Sequence, residues 1–247
     1  NFKEYSDLKG KISAFQTEED TLILNKDDEH VLKQAIHSKA KKVFFSMTQK
    51  VAKGTFLEGN FITSSFNEKE KHFLSVDGLR PPLKFQIENI LGAVAVTSLL
   101  NVTKDDVANV ATNFKGLDHR IELVRTVHGV DFVNDSKGTN VGALHKSLEN
   151  FSRPIILIAG GKDKGGDFQA LKIPFKKKVR HLVLIGETKD KFREILNGSF
   201  SYEDAESMED AVERAMKKAR SGDIVLLSPG CSSFDMFVDF NDRGNQF

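Results

Sequence analysis

Three segments of the 247-residue chain combine lysines, hydroxyls and small residues at spacings suited to holding an anion. They are Asn134-Asp135-Ser136-Lys137-Gly138-Thr139-Asn140, Gly160-Gly161-Lys162-Asp163-Lys164-Gly165-Gly166-Asp167-Phe168 and Ser228-Pro229-Gly230-Cys231-Ser232-Ser233-Phe234. Small residues let backbone amides approach a ligand, and ammonium groups add charge, so such loops suit phosphate or carboxylate. A single Gly/Lys segment is ordinarily a turn between strand and helix. Here each segment follows directly on an apolar run, and three together point to a shared ligand. Cys231 has no histidine near it in sequence and reads as a small buried residue. The histidines show no metal-ligand spacing, and His119 reads as an orienting or structural residue.

The apolar runs are Phe132-Val133, Ile155-Ile156-Leu157-Ile158-Ala159, Leu182-Val183-Leu184-Ile185 and Ile224-Val225-Leu226-Leu227. Short continuous runs bounded by turn residues are how strands buried on both faces of a parallel sheet read. Between them, Thr188 to Leu196 and Met208 to Arg220 carry helical periodicity, the second with Ser207 as N-cap. Ile121 to Val127, His128-Gly129 and Val130 to Asn134 read as a hairpin. Strands alternating with helices make an open α/β sheet, whose ligands bind beyond the carboxyl ends of the strands. Lys176-Lys177-Lys178 with Arg180 reads as a solvated face.

The first half is less regular. Leu22 to Asn25 and Val43 to Ser46 read as strands flanking a helix around Val31 to Ile36, and residues 51–78 as β-rich. A helix from about Gln86 to Leu100 buries Ile87, Ile90, Leu91, Val94 and Ala95. Thr103 starts another, with Val107, Val110 and Phe114 on its apolar side. Gly116 and Asp118 mark the joint, with Asp118 solvated, which predicts domains over 1–114 and 115–247.

Composition narrows the functions. Apolar residues at 39% support a core, while 36 Lys plus Arg against 35 Asp plus Glu give a net charge of +1. That balance argues against a general nucleic-acid binder. One cysteine excludes an intrachain disulfide framework and a multi-cysteine zinc site. No run is long enough to span a membrane and no signal-peptide h-region is present, so a cytoplasmic protein is expected. No G-x-G-x-x-G, Walker A or G-x-S-x-G string occurs. The residues alone therefore predict an anion-binding α/β domain with a partner domain.

Taken in order, Gly116-Leu117-Asp118-His119-Arg120, the 134–140 and 160–168 segments, and Leu226 to Phe237 resemble the C-terminal domain of the Mur ligases. The tail Phe240-Asn241-Asp242-Arg243-Gly244-Asn245-Gln246-Phe247 continues the resemblance. Within the family the strings look most like the branch that adds D-glutamate; the Asp-Asn-Pro-Arg loop of the branch adding a diamino acid is absent. Upstream, Tyr5 to Ile12 resembles the helix whose lysine is carbamylated in the family, and Leu24-Asn25-Lys26-Asp27-Asp28 its Asn-x-Asp-Asp segment. Gln86 to Leu91 resembles its His-Asn-x-x-Asn helix start, with Phe85 and Gln86 in place of His-Asn and only Asn89 kept.

The resemblance implies a fold: a C-terminal Rossmann-like open sheet following the later part of a central α/β ATPase domain. The family's UDP-sugar domain and P-loop have no counterpart among the 247 residues, so the chain is expected to be a fragment inactive in ligation on its own. The implied reaction uses ATP and Mg2+ to convert UDP-N-acetylmuramoyl-L-alanine to an acyl phosphate that D-glutamate then attacks, in peptidoglycan precursor synthesis. Lys164, Thr139, Ser233, Phe234 and Phe240 would hold D-glutamate, and Lys137 would sit near the reacting phosphate or the incoming substrate, Lys137 and Lys164 being the catalytic residues. Asp135, Arg120 and Asn89 would contact the nucleotide, and Lys9, as a carbamate, would ligate Mg2+. A monomer, with no nucleic acid or membrane partner and a hinge near Gly116, completes the expectation. Two other readings stand beside it: a folylpolyglutamate-type ligase fragment, and a non-catalytic binding module without a P-loop. For Lys9 the residues themselves favour a stem lying along the apolar face of Tyr5, Leu8 and Ile12. For Asn89 they allow a helix cap, and for Phe240 a core position.

Overall fold

A computed structural model describes residues 2–66, 69–79, 86–100, 102–196 and 200–247. The chain divides into two units, Asn1–Lys115 and Gly116–Phe247.

The first unit opens with helix α1 (Phe2–Gly10), which leaves Tyr5 and Leu8 exposed, as is Ile12 in the 3-10 turn that follows. The two apolar runs then form parallel strands β1 (Thr21–Asn25) and β2 (Lys41–Ser46), joined through the short helix α2 (Glu29–Gln34). Asp28 starts α2 because its carboxylate accepts from His30 N at 2.8 Å and Val31 N at 3.2 Å, satisfying two amides the helix cannot. Strand β3 (Gly54–Glu58) continues in parallel, and β4 (Phe61–Phe66) and β5 (Lys69–Ser75) follow antiparallel, giving the order β1-β2-β3-β4-β5. Helices α3 (Ile87–Leu99) and α4 (Lys104–Asn113) cover this sheet. Leu91, Val94 and Ala111 meet Ile62, Phe73, Val76 and Leu79 in one core, and Ile87, Ile90 and Val107 pack partly buried against it. Thr103 and Asp106 close a reciprocal capping box at the start of α4. The apolar side of α4 is covered only in part: Val110 is 63% exposed, and with Phe114 it lines an apolar groove of about 340 Å³ between α3 and α4. Phe85, cited in the helix-start comparison, lies outside the described residues.

The second unit contains the expected hairpin, β6 (Glu122–Val127) and β7 (Val130–Asn134), antiparallel across His128 and Gly129, both with positive φ. Then come α5 (Val141–Glu149), β8 (Ile155–Gly160), α6 (Lys172–Lys178), β9 (Val179–Ile185) and α7 (Lys189–Leu196). The chain finishes with β10 (Tyr202–Asp204), α8 (Met208–Lys218), β11 (Ile224–Leu227) and α9 (Phe240–Gln246). The sheet order is β10-β9-β8-β11-β7-β6, parallel except for β6. Every residue of β8 and β11 is buried, which is why both read as unbroken apolar runs. Ser207 caps α8, accepting from Asp210 N at 3.1 Å, and Ala211 and Ala215 pack with Ile156, Ile158, Val183 and Val225 beneath it. Lys176 and Lys177 face solvent in the last turn of α6, but Lys178 is half-buried and donates to Phe151 O at 2.6 Å. Four elements of this unit escaped the sequence reading: the helices α5 and α6, the edge strand β10 and the terminal helix α9.

Candidate active site

Sheet order puts the carboxyl ends of β7, β11 and β8 side by side, and the three polar loops follow these strands. Backbone hydrogen bonds then fasten the loops to one another. Gly230 N donates to Gly138 O at 2.9 Å, Gly160 N to Pro229 O at 2.9 Å, and Lys162 and Ser232 exchange two bonds of 2.9 Å each. The loops after separate strands thus form one cradle. Glycine is required where they touch: Gly161 has φ +134°, and a Cβ there would lie 2.3 Å from Ser232 O.

Lys137 is exposed, with Nζ 4.4 Å from the centroid of the Phe240 ring, a cation over an aromatic face. Phe240 is half-buried, the first residue of α9, and meets the His119 ring edge-on at 6.5 Å. Thr139 is half-buried, its amide donating to Lys137 O at 2.9 Å. Lys164 is exposed and has no hydrogen bond or ion pair among the described residues. Its neighbour Asp163 accepts from Gly165 N at 2.8 Å and Gly166 N at 3.2 Å and pairs with Lys191. Those bonds hold the Asp163 carboxyl below its ordinary range, so it stays ionised and shapes the loop around Lys164. Ser233 is buried, whereas Phe234 is 65% exposed. No hydrogen bond joins the side chains of Thr139, Lys164 and Ser233 among the described residues; the paired backbones next to them bring their loops together.

Asp135 faces inward at 6% exposure, accepting from Ser228 Oγ at 2.9 Å. Burial pushes its carboxyl up to about 6, against the opposing pull of hydrogen bonds and of Arg120. Arg120 is half-buried, its amide bonded to Leu117 O at 3.2 Å. His119 is buried, and the 3.0 Å contact of its Nδ1 with Asn134 Nδ2 gives it the structural role expected. Asp118 is exposed, as expected. Cys231 is buried and its thiol is raised to about 11, a packing residue and no nucleophile at neutral pH.

The residue that sequence reasoning missed is Arg243, on α9. It is fully buried and donates through Nε to Ser136 Oγ at 3.0 Å, through Nη2 to Ser136 O at 2.8 Å, and through Nη1 to Cys231 O at 3.2 Å. Asn134 adds a bond to Gly244 O at 3.0 Å, so α9 is anchored to the end of β7. The available signal was Asp239 followed by Asp242, a helix-start pattern: Asp239 accepts from Asp242 N at 2.8 Å.

In the first unit, Asn89 is exposed in the opening turn of α3, with Nδ2 3.5 Å from Gln86 Oε1; the N-cap is Gln86, so Asn89 is not a cap. Asn25 Nδ2 donates to Glu88 Oε1 at 2.5 Å, and Asp27 accepts from Ser46 Oγ and Met47 N at 2.6 Å and Thr48 Oγ1 at 2.7 Å. Burial alone would raise the Asp27 carboxyl; these bonds outweigh it and hold it low. Lys9 is exposed, with Nζ 5.5 Å from the Tyr5 ring centroid, on a helix face that stays uncovered. An ammonium offers no oxygen to a metal, and no three His, Cys, Asp or Glu side chains converge as a metal set among the described residues. The donors present do not fit the expected Mg2+ site, and no step is assigned to that ion.

Residues 119–231 match the family described as Mur ligase, glutamate ligase domain. The UDP-N-acetylmuramoylalanine--D-glutamate ligase of Syntrophus aciditrophicus is 37% identical over 249 residues, covering 100% of this chain and 54% of that protein. The enzyme of the same name from Clostridioides difficile is 40% identical over 247 residues, covering 99% of this chain and 54% of its own length. The chain thus spans about half the length of the curated relatives it matches. Among solved structures, the bifunctional folylpolyglutamate synthase/dihydrofolate synthase of Yersinia pestis superposes with a TM-score of 0.70 at 15% identity, covering 99% of this chain and 55% of that one. The same synthase in complex with AMPPNP and a manganese ion gives 0.68 at 15% identity, over 95% of this chain and 55% of that one. The UDP-N-acetylmuramate-alanine ligase of Thermotoga maritima gives 0.66 at 13% identity, over 100% of this chain and 54% of that one. At such identities these structures establish the fold, mixed α/β with two sheets. With the glutamate ligase domain match running over the first two loops of the cradle and into the third, and likeness to proteins named D-glutamate ligases along the whole of this chain, the chain belongs to the Mur ligase family.

Proposed function

We propose that this chain forms the amino-acid-binding part, and a share of the nucleotide-binding part, of a ligase joining D-glutamate to UDP-N-acetylmuramoyl-L-alanine. The reading covers a central ATPase part over residues 1–114 and an amino-acid-binding domain over 115–247. In that reaction the γ-phosphoryl group of ATP passes to the substrate carboxylate, giving an acyl phosphate and ADP. The amine of D-glutamate attacks the acyl carbon and gives up a proton, and the tetrahedral adduct expels phosphate to leave the amide. Such chemistry depends on positioning two anions and neutralising their charge in a closed space.

The chain's part is binding and orientation. Lys164 is an unengaged cation in the middle of its loop, suited to a D-glutamate carboxylate by a charge-assisted bond. Thr139 and Ser233, on the two neighbouring loops, supply hydroxyls to the same molecule, and Phe234 and Phe240 bound its pocket. Lys137, held over the Phe240 ring, faces the reacting phosphate. Asp135 accepts from the ribose, with Arg120 and Asn89 on the nucleotide.

The observation carrying the reading is the cradle itself, three loops from adjacent parallel strands tied by backbone bonds, in a chain aligned along its length with D-glutamate ligases. The test is Lys164→Ala in a protein carrying this chain at the full length of its relatives. D-glutamate-dependent phosphate release is expected to fall by at least about a hundredfold, the scale of losing a charge-assisted substrate contact, with the melting temperature unchanged. Wild-type turnover in that variant removes Lys164 from the site, and turnover supported by a folate substrate instead of the UDP-sugar would move the chain to the folylpolyglutamate branch.

A further inference from the structure

Arginine is almost never fully buried unless a carboxylate pairs with it. Arg243 has no exposed surface, and its bonds go to neutral groups: the Ser136 hydroxyl, the Ser136 carbonyl and the Cys231 carbonyl. Asp235 and Asp135 attract it through space without an ion pair. Burial lowers the guanidinium only to about 10, so it remains a cation at neutral pH. The same group abuts the third loop, for a Cβ at Gly161 would come within 3.4 Å of Nη1. One side chain therefore bonds two loops of the cradle and lies beside the third. It also carries α9: Ser136 Oγ, which accepts from Arg243, donates to Phe240 O at 2.7 Å, and Phe240 lies under Lys137.

A mere strut at this position could be apolar at less desolvation cost. What an apolar side chain cannot do is fork three bonds between two loops and leave positive charge among them. We propose that Arg243 is a positioning residue for the amino-acid substrate, fixing the 134–140, 160–168 and 228–234 loops in mutual register and lending the cradle a buried positive charge. The inference rests on the D-glutamate reading above.

The test uses the chain with Arg243→Lys, Arg243→Gln and Ser136→Ala, each titrated with D-glutamate by nuclear magnetic resonance and followed by amide hydrogen exchange. Loss of charge and fork in Arg243→Gln should weaken D-glutamate by about tenfold or more, and Arg243→Lys, which keeps the charge, by less. Exchange should quicken together at the amides of Lys162, Gly230 and Ser232, which cross between loops, and stay unchanged at Leu157 and Leu182 inside the sheet. A purely structural arginine would lower the melting temperature and leave the affinity of folded molecules as it was. That outcome, or wild-type exchange at the three loop amides, overturns the proposal. Should the arginine variants fail to fold, Ser136→Ala carries the test: removing one hydroxyl should weaken D-glutamate by about threefold, and unchanged affinity and exchange count against the idea. If the wild-type chain takes up no D-glutamate, the substrate reading fails, and loop exchange alone decides whether Arg243 couples the loops.

Discussion

Burial of the Asp135 carboxyl raises it from its ordinary value of 3.8 to about 6, so the folded protein holds a proton there more tightly than the unfolded chain does. The stabilising protonation is fully present below pH 3.8 and is lost as pH rises through about 6. At neutral pH the ionised group therefore strains the fold, by up to about 3 kcal/mol at roughly 1.4 kcal/mol per pH unit. Asp135→Asn keeps an acceptor for Ser228 and removes the charge. Urea titrations should find this variant the more stable at pH 7.5, with its advantage gone by pH 4; a variant less stable at pH 7.5 would contradict the argument. A strained carboxylate in a polar loop at a strand end is what the proposed role of Asp135 toward a ligand calls for. The sequence made Asp135, Lys137 and Lys164 visible because a charged residue just after an apolar run stands out. Arg243 was hidden in a tail of mixed polar residues, where nothing local distinguishes an interior arginine from a solvated one.

Strands β8, β9 and β11 were legible because burial on both faces writes continuous apolar runs. Strand β10 was not: Tyr202-Glu203-Asp204 is an edge strand of three residues whose side chains meet cations of α7 and α8, Arg193, Arg214 and Lys218, so it writes no apolar run. Helix α9 is too short for periodicity to register, and its seven residues include Gly244, where a Cβ would lie 2.3 Å from His119 Nδ1. The end of β8 shows how element and site are joined. Gly160 has φ +122°, its amide reaches Pro229 O at 2.9 Å, and a Cβ there would lie 2.0 Å from Ile185 O on β9. Gly160→Ala should cost more than about 2 kcal/mol, through backbone clash and an unfavourable dihedral together. Gly165→Ala shares the positive φ, at +80°, but meets open space, and should cost about 1 kcal/mol. Thermal denaturation of the pair checks this, and equal losses would show that strain and not the close approach of strands dominates at Gly160.

For the whole chain, the α/β class followed from the changing rhythm of apolar runs, whereas spatial order could not, since β11 enters the sheet between β8 and β7 although it comes last of the strands. No helix among the described residues is long and apolar enough to cross a membrane. The late central strand has a measurable correlate: ending the chain before Ile224 should leave β7 and β8 without the neighbour each pairs with, and light scattering should report aggregation. A monomeric, cooperatively melting truncation would refute that. The same topology bears on biosynthesis. While residues after Gly222 are still being added, the sheet has a vacant slot at its middle, and its loops have nothing to fasten to. Assembly of this unit must therefore wait until β11 has been synthesised, leaving its most apolar strands in need of protection until then.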